Sequence, residues 1–169
     1  MPTGSPPQPV LRLRPTTPAD LAVLFEFQCD PDSNDMAGTK PRTREGFNEL
    51  WQRIFADPGV NARVIEIDGE RGDDHAPEIV GSISRFQAEG NNCVGYWIGR
   101  RHWGKGFASR ALALFIIEDT TRPLHATAAS DNACSRHILE KCGFRFVGCR
   151  MGEETDRFTA REIADYVLD

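Results

Sequence analysis

The residues best suited to chemistry lie in one run, Gly99-Arg100-Arg101-His102-Trp103-Gly104-Lys105-Gly106-Phe107-Ala108, between a strand-like and a helix-like segment. Glycines two apart let successive backbone N–H groups point into one concavity, and the helix that follows adds its positive end. Phosphate oxygens suit such a hollow. Arg100, Arg101 and Lys105 set mobile positive charge around it. Two familiar phosphate loops fail here. The pattern G-x-x-x-x-G-K fits Gly99 to Lys105, but Gly106 stands where a magnesium-holding Ser or Thr is required. The apolar run ending Ile117-Glu118-Asp119 cannot be the companion magnesium strand, because it lies in the helix that the loop starts. The pattern G-x-G-x-x-G finds Gly104 and Gly106, then Ser109, with Leu124-His125-Ala126 where an acid should stand about 20 residues on. A third pattern, [RQ]-x-x-G-x-[GA], is filled by Arg101 through Gly106.

The elements that must hold this turn can be read from periodicity. Val10 to Arg14 alternates as a strand, and Thr17-Pro18-Ala19-Asp20 opens a helix with a cap, a proline and an early carboxylate. Leu21, Leu24, Phe25 and Gln28 share one face of it. Asp30 to Pro41, polar with two prolines, reads as a loop. Thr43 to Phe55 predicts a helix that buries Phe47, Leu50, Trp51 and Ile54. Strands follow at Ala62 to Ile67, Ile79 to Phe86 and Cys93 to Ile98, with an acidic turn over Asp68 to Pro77 and a hairpin at Glu89 to Asn92. From Gly104, Phe107, Ala108, Ala111, Leu112, Leu114 and Phe115 mark a core helix. Leu124 to Ala128 is a strand, and Asn132 to Cys142 is a helix that stops at Gly143. Phe144 to Cys149 and Ala160 to Leu168 are the last strands. This order fits a mixed α/β sheet covered by helices.

Size and charge narrow the field. The 169 residues, 40% hydrophobic and 27% charged, make one domain over 10–169 after a proline-rich, flexible tail at 1–9. The longest apolar run, Ala111 to Ile117, is too short to span a bilayer. The tail lacks the apolar centre of a secretory signal, so a cytoplasmic protein with no membrane partner is expected. The net charge of -5 argues against nucleic-acid binding. It hides an asymmetry: residues 1–90 carry a net -6 and residues 100–150 a net +5. One part suits a cation and the other an anion. Five cysteines (Cys29, Cys93, Cys134, Cys142, Cys149) without paired spacing read as free thiols, mostly buried, and scattered histidines predict no metal. His102 and His137 read as surface groups, and Trp103 as either a shield for the loop or a packing residue.

Gly95-Tyr96-Trp97-Ile98, Trp103 to Ala108, Asn132-Ala133-Cys134-Ser135 and Lys141-Cys142-Gly143-Phe144 occur in the order and spacing that resembles the GCN5-related N-acetyltransferases. Leu11 to Pro15 and Asp165 to Leu168 make the chain look most like the ribosomal-protein alanine N-acetyltransferase branch. The resemblance implies a mostly antiparallel seven-stranded mixed sheet, helices on both faces, and central strands splayed to admit the pantetheine arm of acetyl-CoA. It implies that the amides of Arg101, His102, Trp103, Gly104, Lys105, Gly106, Phe107 and Ala108 hold the pyrophosphate. Ile98 and Gly99 would pair with pantetheine, Asn132 and Ser135 would lie beside it, and an N–H of Ile98 or Gly99 would stabilise the oxyanion. The family's usual Tyr acid is Leu139 here, so Ser135 becomes the candidate catalytic acid. Cys93 stands where many relatives place a Glu base, and Arg110 where the branch often has Glu. Without a strong base, water would relay the proton, which favours an α-amine (pKa about 7.7–8.0) over a lysine amine (about 10.4). Asp30, Asp32, Asp35, Glu45 and Glu49 would wall the acceptor site, so a cationic amine is the expected acceptor. A homodimer is compatible with the pattern, and a noncatalytic acyl-CoA sensor is the alternative function.

Overall fold

A computed structural model describes residues 4–5, 7–69 and 76–169. Parts of the expected tail (residues 1–3 and 6) and of the acidic turn (residues 70–75) lie outside the described residues. In chain order the elements are β1 (Leu11–Pro15), α1 (Leu21–Gln28), α2 (Pro31–Ala37), α3 (Arg44–Ala56), β2 (Asn61–Ile67), β3 (Glu78–Ala88), β4 (Asn91–Ile98), α4 (Phe107–Glu118), β5 (Leu124–Ala129), α5 (Ala133–Lys141), β6 (Arg145–Gly152) and β7 (Arg161–Leu168). The seven strands form one sheet in the order β1-β2-β3-β4-β5-β7-β6. Every neighbouring pair is antiparallel except β4 and β5, which run parallel. No helix among the described residues is long and apolar enough to cross a membrane.

Strand alternation gives the sheet two apolar faces, each covered by helices. On one face Phe107, Ala111, Leu112 and Phe115 of α4 and Leu139 of α5 pack with Ile65, Ile83 and Tyr166. On the other, Leu24 and Phe27 of α1 and Phe47 and Trp51 of α3 close over Val64. Phe47 and Trp51 are therefore core, as the helical spacing implies.

The stretch from Asp30 to Pro41 holds a helix where polarity suggested a loop. Local capping makes it, not apolar period. The Asp30 carboxylate accepts from Ser33 N at 2.8 Å, Pro31 occupies the first turn, and Gly38 closes the helix at φ 68°. Its buried side chains are polar: Asn34 donates to Gln28 O at 2.7 Å and accepts from Thr39 Oγ1 at 2.8 Å. Gly143, at φ 92°, terminates α5 as expected.

The cysteines correct a second expectation. Cys29, Cys134 and Cys149 are exposed, and Cys93 and Cys142 half-buried, all as free thiols. The three exposed ones sit at the end of α1, in the first turn of α5 and on the edge strand β6, where neighbours are few.

One buried carboxylate ties α4 to the sheet. Asp119 accepts from Arg85 Nε at 2.7 Å, Asn61 Nδ2 at 2.8 Å and Thr121 N at 3.1 Å. Burial pushes its pKa up, but these donors outweigh it and hold the group well below the ordinary carboxylate range. Because the folded pKa is the lower one, the unfolded chain binds the extra proton. Its stabilisation is full above about pH 4 and fades as pH falls below that. Asp119→Asn should therefore flatten the acid limb of a pH–stability curve and lower stability at pH 7, read by urea melts at both pH values.

Candidate active site

β4 and β5 share one register pair, Cys93↔His125, and then part. A cavity of about 660 Å³ opens between them, bounded by Val94 to Ile98 on one side and Ala126 to Ala129 on the other. Gly99 N donates to Val80 O at 2.9 Å, which fixes the phase of the β3–β4 ladder. Antiparallel alternation then turns the backbone groups of Tyr96 and Ile98 away from β3 and toward the gap. The Ile98 carbonyl accepts from Trp103 Nε1 at 3.0 Å, leaving the Ile98 N–H as the group aimed into the gap. Gly99 cannot play the expected part with its own N–H, since Val80 holds it; its carbonyl accepts from His102 N at 2.8 Å.

The glycine turn stands at the mouth of the gap. Gly104 and Gly106 both lie in the left-handed region, at φ 74° and 76°, and a Cβ on either would meet open space. That backbone brings the N–H groups of residues 104–108 round one hollow at the start of α4, and among the described residues none of them has an acceptor. The nest is narrower than expected, because the N–H groups of His102 and Trp103 are spent on Gly99 O and Arg100 O. Of the expected pyrophosphate residues, His102, Trp103, Gly104, Gly106, Phe107 and Ala108 line the cavity, while Arg101 and Lys105 do not. Trp103 ties the loop to β4 through its indole N–H, which donates to Ile98 O.

The surrounding cations are less mobile than their number suggests. Arg100 pairs with Asp30 and Asp32, and Arg101 lies 3.9 Å from Glu78 and 5.1 Å over the Phe27 ring. Lys105 has no carboxylate within 4 Å among the described residues. His102 is buried, not superficial, with its ring between Phe27 and Phe107 and its Nε2 3.4 Å from Glu78. Its Nε2 accepts from Arg101 Nε at 3.1 Å, and the nearby Glu78 charge comes from β3, which a local reading of the chain could not supply. Burial lowers the His102 pKa and keeps the ring neutral.

Asn132 and Ser135 come together at the start of α5. Asn132 Oδ1 accepts from Ser135 N at 3.1 Å, the ordinary bond of a helix cap, and both residues line the cavity. The Ser135 hydroxyl meets the Tyr96 hydroxyl at 2.8 Å. Burial drives the Tyr96 phenol up to about 12, against the pull of the Ser135 bond, so it keeps its proton. In the sequence Tyr96 stands out only as part of the Gly95-Tyr96-Trp97-Ile98 motif. The available signal was its place on β4, two residues before Ile98 and on the same face.

Cys93 lies at the hairpin end of β4, where the strands still touch. Its sulfur is 3.7 Å from Asn91 O, and burial pushes its pKa up, so it is not poised as a base or an acyl carrier.

The sequence pattern of the Acetyltransferase (GNAT) domain matches residues 11–145. Comparison with curated proteins finds no match. Among solved structures, spermidine N-acetyltransferase from Vibrio cholerae, in complex with CoA and spermine, superposes with a TM-score of 0.75 at 20% identity, over 94% of each chain. RimJ from Mycobacterium smegmatis, in complex with CoA-disulfide, gives 0.72 at 23% identity, over 95% of this chain and 82% of that one. RimL, a ribosomal L7/L12 alpha-N-protein acetyltransferase in complex with CoA, gives 0.72 at 16% identity, over 94% of this chain and 93% of that one. The overall fold is thus shared with these acetyltransferases, and the match over residues 11–145 shows that the chain belongs to the GNAT acetyltransferase domain family.

Proposed function

We propose that the protein is an acetyl-CoA-dependent N-acetyltransferase in which a primary amine attacks the thioester directly, within a ternary complex. The observation that carries this reading is the gap between β4 and β5, which offers an uncommitted Ile98 N–H, a nest of amides at its mouth and the Ser135–Tyr96 hydroxyl pair on one wall. The nest over residues 104–108 would hold the pyrophosphate, with the N-terminal end of α4 adding its dipole. Ile98 would pair with pantetheine, and its N–H would stabilise the oxyanion formed by attack on the thioester carbonyl. As the C–S bond breaks, the Ser135 hydroxyl, oriented by Tyr96, passes its proton to the departing sulfur and is reprotonated by water carrying the proton that the amine has lost. The amine proton leaves through water, so a low-pKa amine such as a peptide or protein N-terminal α-amine reacts most readily. A cationic small amine is the other acceptor class, supported by the acidic N-terminal half and by the spermine in the Vibrio cholerae relative.

The test is thiol release from acetyl-CoA against peptide N-termini, polyamines and aminoglycosides. Amine-dependent release is expected. Tight binding of acetyl-CoA without turnover on any amine would leave a noncatalytic acyl-CoA sensor instead. The nest makes its own prediction: Gly104→Ala should weaken coenzyme A binding at least tenfold by calorimetry. It should cost only about 1–2 kcal/mol of stability, since the strain is one left-handed residue.

A further inference from the structure

The cofactor elements α4 and α5 cover one face of the sheet, so an acceptor reaching the gap must come from the other, where Trp97 of β4 packs with α1 and α3. Two segments roof that side. Lys40 N donates to Arg157 O at 2.6 Å, Arg157 Nη1 donates back to Lys40 O at 2.6 Å, and Thr159 N donates to Gly38 O at 3.0 Å. These bonds clamp the link before α3 onto the turn between β6 and β7. Arg42 of the link and Arg157 of the turn, both half-buried, thereby come close enough for the charge of one to act on the other.

Neither group has a counter-charge among the described residues. Among the described residues no carboxylate lies within 4 Å of either, and the Glu154 carboxylate nearby is taken by Lys40 at 2.9 Å. Arg42 Nε is buried without any hydrogen-bond partner. Arg157 lies with its Cζ 5.8 Å from the centre of the Trp97 ring, which itself lines the cavity. Burial depresses both groups, Arg157 to about 10 with Arg42's charge adding to the effect, and Arg53 adding to it at Arg42. Both remain charged at neutral pH. Half-buried cations without a counter-charge are costly to keep, and a guanidinium fork matches the paired oxygens of a carboxylate or phosphate. By contrast, the acidic groups expected to draw a cation are partly spent: Asp30 on Ser33 and Arg100, Asp32 on Arg100.

We propose that Arg42 and Arg157 bind an anionic group, a carboxylate or a phosphate, carried by the amine acceptor. The acceptor is then an amine and an anion in one molecule, with the anion against the roof and the nitrogen at the gap. This rests on the acetyl-transfer reading above, and two measurements separate their failures. In the first, arginine Nε–H signals of the full chain are followed by NMR during titration with sodium phosphate and, separately, sodium acetate. Saturable shifts of the Arg42 and Arg157 signals, abolished at Arg42 by Arg157→Gln, are expected from at least one anion. No shift from either would overturn the site whatever the enzyme does. In the second, thiol release is compared for matched amines, an amino acid with its amide and phosphoethanolamine with ethanolamine. The anionic member of one pair should have a kcat/KM at least tenfold higher, and the winning pair tells carboxylate from phosphate. Arg157→Gln and Arg42→Gln should each reduce that ratio toward one with coenzyme A affinity unchanged, while Arg157→Lys keeps part of it. Equal rates within both pairs, or a ratio that survives both glutamine variants, would overturn the proposal. Absence of turnover with every amine would instead sink the transferase reading, leaving the anion titration to decide the site.

Discussion

Ser135→Ala should lower kcat for acetyl transfer on the order of 100-fold while leaving coenzyme A affinity within about threefold. The reason is geometric. Ser135 is the hydroxyl that lines the gap and also bonds a phenol that keeps its proton, so it can give its own proton outward while being held from behind. Its backbone N–H, which takes the Asn132 cap, survives the substitution, so the start of α5 should stay intact. Tyr96→Phe should lower kcat less, about tenfold, at unchanged KM for acetyl-CoA, because it removes the polarising partner but not the proton itself. A kcat within threefold of the parent for Ser135→Ala, measured by thiol release at saturating amine, would reduce Ser135 to a helix-cap hydroxyl.

The largest stability effect is expected at Gly81. A Cβ there would overlap the Trp97 carbonyl oxygen and stand 2.9 Å from Ile98 Cδ1. Relief requires β3 and β4 to separate at the point where β4 has already lost β5 as a neighbour, so no other strand can hold it in place. Gly81→Ala should cost about 3 kcal/mol or more, a fall in Tm of roughly 6–12 °C for a domain of this size. A fall below 2 °C in a thermal melt would contradict so tight an approach. Activity should drop further than stability, because the same displacement moves Ile98.

Those two sites also mark what a single sequence can disclose. Phe47, Trp51 and the α4 face were legible because apolar period reports burial directly. The hollow at Gly104 and Gly106 was legible because only a few residue types tolerate that backbone. The helix at Pro31–Ala37 was not, since its caps and its buried Ser33 and Asn34 carry no apolar rhythm. The Tyr96–Ser135 bond joins residues 39 positions apart, and Arg42 comes near Arg157 only because two segments meet across the roof. Contacts of that kind leave no trace in local spacing. His102 is the same case, its burial decided by Phe27 and the carboxylate beside it supplied by β3.

The single register pair at Cys93 and His125 makes the two halves of the sheet meet as if on a hinge pin, with open backbone beyond it. A thioester arm lying in that opening would act as a removable eighth strand, lending Tyr96 and Ile98 the main-chain partners they otherwise lack. Loading the cofactor would then stiffen the protein along its midline, and slower deuterium uptake at those two amides would record the docking before any acetyl group moves.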